Sequence, residues 1–162
     1  GVAGVHFKSK SNCPQEKDID SGQGCWNERR KNQSLRLLEF IRKWREKNSD
    51  MPVLVAGDLN AYGAEEPVGI LKDSGYTDLL AKHIPWRERY TYIYSGESGY
   101  LDHLLASSQL GQRISRVFIH PINADEPRLL GYDNSAAKRK LQDTSQYRSS
   151  DHDPVAVDLQ LR

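Results

Sequence analysis

The sequence predicts a mixed α/β (α+β) domain, and three stretches carry that prediction. Residues 28–47 repeat their apolar positions with the period of a helix. The run Val53–Ala56 is apolar throughout, the pattern of a strand buried on both faces. Residues 154–161, PVAVDLQL, alternate apolar and polar, as a half-buried strand does. Strands interspersed with helices point to α/β or α+β.

In chain order, VAGVHFK (2–8) reads as a short strand and residues 9–27 as a polar loop. In the helix that follows, Leu35, Leu38 and Ile41 sit three apart, and Leu37, Ile41 and Trp44 fall on one stripe, with Arg and Lys opposite. Eight Lys or Arg against three Glu between Glu28 and Lys47 read as a solvated helix face in preference to a DNA-tracking patch. Ser49, Asp50 and Pro52 stop the helix. The strand Val53–Ala56 ends abruptly in Gly-Asp-Leu-Asn, and residues 65–74 suggest a short helix with Pro67 in its first turn. YTYIY (90–94) and YLDHLLAS (100–107) read as strands joined through Ser-Gly-Glu-Ser-Gly as a hairpin. ISRVFIH (114–120) is a further strand, and residues 121–150 are long, polar and irregular. A loop of that length inside a compact domain is uncommon unless it is functional.

The 162 residues amount to one domain, and 37% hydrophobic with 28% charged residues is the balance of a globular chain. No apolar run approaches the roughly 18 residues of a membrane span. The first residues, GVAGVHFKSK, lack the apolar stretch of a signal peptide. A net charge of +1 argues neither for nor against a nucleic-acid partner, because local patches decide that. Cys13 and Cys25 lie in a Gly- and Asp-rich stretch, unlike free cysteines in apolar surroundings. A loop-closing disulfide in an oxidising compartment is the preferred reading, and two lone thiols in a cytosolic loop are the alternative. Without a CxxC or a nearby His pair, the two do not suit a zinc site.

Four stretches could carry chemistry. A buried strand delivers Asp58 and Asn60 to its C-terminal end, where open α/β sheets place ligands. Residues two apart point the same way if the strand continues, offering a carboxylate and an amide together. A plain Asx turn is an equal reading. In SSDHDPV (149–155), Asp151, His152 and Asp153 stand in a row before the last strand, where an acid beside an imidazole can offer a metal ligand and a general base at neighbouring positions, against the reading of a polar turn. Asp102 interrupts an apolar strand and needs a partner, either a histidine that it orients or an Arg in an ordinary salt bridge. By alternation His103 points to the opposite face and reads as structural, as does the lone His6 on composition.

In order, GDLNAY, YLDHLLAS and YRSSDHDPV resemble the C-terminal motifs of the endonuclease/exonuclease/phosphatase superfamily. VHFKSK, the Cys-containing loop and HPINADEPRLLGYDN further resemble bacterial extracellular nucleases of that group, so the likeness covers nearly the whole chain. It implies that Asp58 and Asn60 hold the scissile phosphate and a metal ion, that Asp102 orients the catalytic histidine, and that Asp151 belongs to the metal site. His152 becomes the general base or phosphate-binding histidine. His6 becomes the second histidine of DNase I-like members, which overturns its structural reading. The implied cofactor is Mg2+, with Ca2+ or Mn2+ as alternatives, and the implied partner is nucleic acid, DNA before RNA, outside the cell or in the periplasm.

The resemblance also sets expectations about completeness. The superfamily domain is roughly twice as long, and its first half contributes an asparagine and a metal-binding glutamate. This chain matches the C-terminal half of a four-layered sandwich, one mainly antiparallel or mixed sheet with flanking helices, and is expected to be inactive alone. The sheet face that the first half would cover is expected to lie bare and to drive a homodimer. Arg128, Lys138, Arg139 and Lys140, interleaved with Tyr132 and Tyr147, suit phosphate and base contacts as well as a solvated loop. Arg128 is taken as a substrate-binding residue. The competing functions are a phosphodiesterase or phosphatase acting on a lipid or small molecule, and a non-catalytic binding or assembly module that keeps the motifs.

Overall fold

The computed structural model describes residues 1–49, 51–130 and 145–160. Strand β1 (Val2–His6) is followed by the cysteine loop and helix α1 (Asn27–Lys47), which returns the chain to β2 (Leu54–Asp58). Helix α2 (Glu66–Asp73) carries Pro67 in its first turn, where no helical N–H is lost. Then come β3 (Tyr76–Asp78), α3 (Leu79–His83), a 3-10 turn at Trp86–Glu88, β4 (Tyr92–Tyr94) and β5 (Glu97–Gly99). The chain continues with β6 (Asp102–Ser107), α4 (Ser108–Gly111), β7 (Ile114–Ile119), a 3-10 turn at Arg128–Leu130 and β8 (Val155–Leu159).

The main sheet is mixed, with order β1-β2-β6-β3. β1 and β2 are parallel, and β6 runs antiparallel to both β2 and β3. Alternation along β2 and β6 sorts the core into two clusters. Val55 and Leu105 face α1 and α2, meeting Ile41, Val68 and Leu71. Leu54, Leu104 and Ala106 face the other way, meeting Leu79, Leu80, Ile84 and Leu110. Leu71, Leu79, Leu80 and Leu105 are completely buried, and each such side chain contributes about 1.5–3 kcal/mol. Gly57 marks the tightest approach of β1 to β2. Its φ is 138°, and a Cβ there would stand 2.0 Å from the Val5 carbonyl oxygen. Only glycine fits that position.

Several expectations are corrected. The Ser-Gly turn forms a hairpin, with positive φ at both Ser95 and Gly96, but β4 pairs with β5. Residues 100–107 instead place β6 inside the main sheet, because its apolar residues need burial on both sides. The sheet face expected to be bare is lined by α3, α4 and the β7–β8 ribbon, whose Val117, Ile119, Val155, Val157 and Leu159 pack on it. That removes the ground for a homodimer through this face. Leu35 is exposed, while the buried Ile41 and the partly buried Leu37, Leu38 and Trp44 form the core-facing stripe of α1. Arg30 is no part of a solvated face, being completely buried. Its guanidinium donates to the carbonyls of Cys25 at 2.7 Å and Gln23 at 3.0 Å. Asp50, proposed to help stop α1, lies outside the described residues, as do Tyr132, Lys138, Arg139, Lys140 and Leu161, the last residue of the expected final strand.

The cysteine loop is closed by a Cys13–Cys25 disulfide. Its Asp18 caps α1, accepting from the amides of Glu28 at 2.7 Å and Arg29 at 2.9 Å. Trp26, at the helix N-cap position, is left-handed and makes no side-chain cap, so the loop supplies the acceptor from a distance.

Candidate active site

Sheet register assembles the site. His6 pairs with Asp58 and Asp58 with Asp102, so three strands place these residues in one row at the end of β1 and β2 and the start of β6. Cross-strand partners point to the same face of a sheet. His6 Nε2 lies 3.5 Å from Asp58 Oδ2, and the His6 side chain is 76% exposed. Asp58 and Asp102 are mostly buried, so the row presents two carboxylates at a partly dry rim.

Asn60 joins Asp58 by a route other than strand alternation. β2 ends at Asp58, and Asn60 takes a left-handed φ of 47°. The Asn60 amide donates to Asp58 Oδ1 at 2.6 Å, an Asx turn, while its side-chain nitrogen donates to Asp58 Oδ2 at 2.9 Å and to the Phe7 carbonyl at 3.1 Å. The Asx turn thus also brings the carboxylate and the amide side chain together. With both amide hydrogens spent, the Asn60 carbonyl oxygen is the atom left to meet a ligand. Burial pushes the Asp58 carboxyl above its ordinary range, and the neighbouring Asp102 charge adds to that, against the Asn60 amide and the two histidines.

Asp102 finds the histidine partner that its burial demands. His152 Nδ1 donates to Asp102 Oδ2 at 2.7 Å, and Thr91 Oγ1 donates to the same oxygen at 2.6 Å. This bond fixes hydrogen on Nδ1 and leaves Nε2 as the outward nitrogen. The Tyr92 ring lies 4.6 Å from the imidazole, centre to centre. Burial pushes the His152 pKa down, but Asp102, with smaller contributions from Asp58 and Asp151, outweighs it and raises the pKa overall. Asp151 is thus close enough for its charge to reach both His152 and Tyr92.

Four residues hold this arrangement; sequence reasoning gave Thr91, Asn123 and Arg148 no role and noted Asp153 only as one of three ionisable groups in a row. Thr91 is completely buried inside the aromatic run YTYIY, which drew attention to its neighbours. Asp153 Oδ1 accepts from the amides of Ile122, Asn123 and Ala124 at 3.0, 2.7 and 3.0 Å, and the Asp153 amide donates to the Thr91 carbonyl at 2.8 Å. Asn123 Nδ2 donates to the His152 carbonyl at 2.7 Å, and Arg148 Nη1 donates to the Asn123 carbonyl at 2.5 Å. The Asp-Pro pair at 153–154 was the available signal, since an acid fixed before a strand can gather loop amides. Arg128 is exposed on its 3-10 turn, and its charge reaches Tyr92.

Asp58, the Asn60 carbonyl and Asp151 are hard oxygen donors, which suit a divalent cation such as magnesium. Among the described residues, no group of three His, Cys, Asp or Glu side chains is arranged to hold an ion. The donor chemistry fits a hard divalent cation that takes its remaining ligands from water and phosphate oxygens.

Residues 4–152 match the model of the Endonuclease/Exonuclease/phosphatase family. No curated protein matches the sequence. Among solved structures, the chain is similar to the 3′ phosphatase NExo from Neisseria bound to a product DNA hairpin, with 17% identity and a TM-score of 0.61 over 99% of this chain and 61% of that one. It is similar to an AP endonuclease from Archaeoglobus fulgidus, with 15% identity and a TM-score of 0.57 over 99% of this chain and 61% of that one. It is also similar to beta toxin from Staphylococcus aureus, with 20% identity and a TM-score of 0.56 over 98% and 52%. The chain spans at most 61% of the length of these structures, and the likeness is one of fold.

Proposed function

The chain belongs to the endonuclease/exonuclease/phosphatase family, and from that membership we propose that it carries the base-bearing side of a divalent-metal-dependent nuclease site. One observation carries the reading: His152 is tied to Asp102 at the end of a register row that also holds Asp58 and His6. Nε2 of His152 would take a proton from the attacking water as its oxygen bonds to phosphorus. The Asp102 carboxylate would stabilise the imidazolium so formed. Asn60 and Asp58 would hold the nucleophile and a non-bridging oxygen. His6 would donate to a phosphate oxygen or to the leaving oxygen as its bond to phosphorus breaks. Asp58, Asn60 and Asp151 are the residues that would hold magnesium, which neutralises charge on the phosphodiester.

Nucleic acid is the proposed substrate, DNA before RNA, and the disulfide supports an extracellular or periplasmic setting. The chain spans at most 61% of the length of the similar structures, and the family resemblance places a metal-binding glutamate in the part that it does not match, so the 162 residues alone are proposed to be inactive. The test is a nuclease assay, with and without EDTA, on this chain and on a protein at the full length of the solved relatives. Metal-dependent cleavage by the longer protein supports the reading. Its absence sinks the nuclease assignment, and robust turnover by the short chain sinks the claim of inactivity.

A further inference from the structure

Away from the row of carboxylates, a groove of about 420 Å³ runs between the 3-10 turn at Trp86–Glu88 and strand β7. Ile84, Pro85, Val117 and Phe118 give it apolar walls. Two features set it apart from an ordinary surface crevice. Trp86 is 75% exposed beside it, a large apolar ring that packs on nothing in the core. Two guanidinium groups also sit over aromatic rings at its margins: Arg87 lies 5.3 Å from the Trp86 ring centre and Arg116 lies 4.5 Å from that of Phe118. Arg89, one residue past the turn, donates to the carbonyls of Ala81 and Ile84. Among the described residues, Glu88 is the one acidic residue in the lining, and the hydroxyl of the lining residue Tyr90 donates to Asp125.

We infer that this groove is a second nucleic-acid subsite, in which Trp86 and Phe118 stack bases of a single strand while Arg87 and Arg116 meet its phosphates. Exposed aromatic faces with guanidinium groups beside them form the surface on which unpaired bases stack, and stacking is indifferent to base identity. The position supports the same occupant. Tyr90 and Pro121 are among the residues that line the groove. Tyr90 immediately precedes Thr91, which donates to Asp102, and Pro121 leads into the amides bound by Asp153. A strand leaving the phosphodiester site would meet the groove there. The inference rests on the nuclease reading for its substrate class, but it concerns binding and is tested without turnover.

The experiment titrates this chain, in EDTA, with a short oligothymidylate, an oligouridylate of equal length and an abasic oligomer with the same phosphates. Oligonucleotide binding is expected to quench tryptophan fluorescence, and the quench should vanish in Trp86→Ala. By the anisotropy of an end-labelled oligomer, which does not depend on the tryptophan, that variant should bind about tenfold more weakly. Arg116→Ala should lower the slope of log affinity against log salt by about 0.7, one phosphate contact on a single strand. The abasic oligomer should bind more weakly than either base-bearing one. Both mutated side chains are exposed, so circular dichroism should show an unchanged fold. Wild-type affinity in Trp86→Ala, or an abasic oligomer that binds as tightly as oligothymidylate, overturns the inference. Failure of the longer protein to cleave nucleic acid would instead sink the nuclease reading, and Trp86-dependent binding would survive it.

Discussion

His103 donates from Nε2 to the carbonyl oxygen of Ala61 at 2.8 Å, tying the strand that bears Asp102 to the turn that bears Asp58 and Asn60. His103 is completely buried, and its other ring nitrogen faces Asp78 Oδ2 at 3.6 Å, an electrostatic contact too long for a hydrogen bond. Alternation along β6 sends Asp102 to the rim and its neighbour into the core. One strand thus positions the acid and braces the turn opposite it.

Replacing this histidine should therefore cost stability. His103→Leu keeps much of the volume but leaves the Ala61 carbonyl without its donor and Asp78 without its facing ring. An orphaned buried acceptor costs about 1–3 kcal/mol. Urea unfolding should show a lower midpoint with an unchanged slope. A midpoint equal to wild type would show that water takes over the bond.

Asp78 gives the pH dependence its sign. Burial pushes its carboxyl up, but the His103 imidazole, the Ala81 amide and the Tyr100 hydroxyl outweigh that and hold it below its ordinary value. The folded protein then binds fewer protons than the unfolded chain in the acid range, so stability rises with pH there. The contribution is complete above the ordinary carboxylate value of about 3.9 and is lost as pH falls through the depressed folded value. Asp78→Asn should flatten the acid limb of a plot of urea midpoint against pH. An unaltered limb would assign the acid sensitivity to other carboxylates.

The Asp102–His152 pair should behave as a unit in catalysis. In the protein at the full length of its relatives, His152→Ala and Asp102→Asn should each lower kcat by about 10²–10⁴. The double variant should lose little more than the worse single one, because groups acting together are not additive. Thr91→Val removes one donor to the same carboxylate and should cost less, leaving the Asp102–His152 bond in place. Near wild-type turnover in His152→Ala would remove the general-base assignment.

How much of this was legible in the sequence depends on whether a feature is local or rests on register. The long helix, the apolar strand Val53–Ala56 and the alternating final strand are local patterns, and each formed. Asp102 needing a partner was also legible, because a carboxylate in an apolar strand is costly alone. The partner of β4 was not. Ser95–Gly96 fixes a turn, but the turn alone does not say how far each strand runs, and the short β5 hides in Glu-Ser-Gly. Arg30 looked like its exposed helix neighbours because its partners are backbone carbonyls of the cysteine loop, which no side-chain pattern records. Asn123, Thr91 and Asp153 meet across more than sixty positions through main-chain atoms, so their grouping appears only in the fold.

The cysteine loop supplies the last prediction, because it does two jobs at once. The Cys13–Cys25 bond closes the segment, and Asp18 within it caps α1. Removing the bond by Cys13→Ser with Cys25→Ser releases loop-closure entropy in the unfolded chain, worth about 3 kcal/mol for a loop near this length. Asp18→Ala alone removes a cap worth about 1 kcal/mol. If the bond also holds Asp18 against the helix, an open loop already delivers the cap less often. The combined loss should then fall short of the sum, with a coupling of at least about 0.5 kcal/mol in a double-mutant cycle. Strict additivity would mean that the Trp26–Asp18 backbone bond and the Arg30 contacts hold the loop in place without the disulfide.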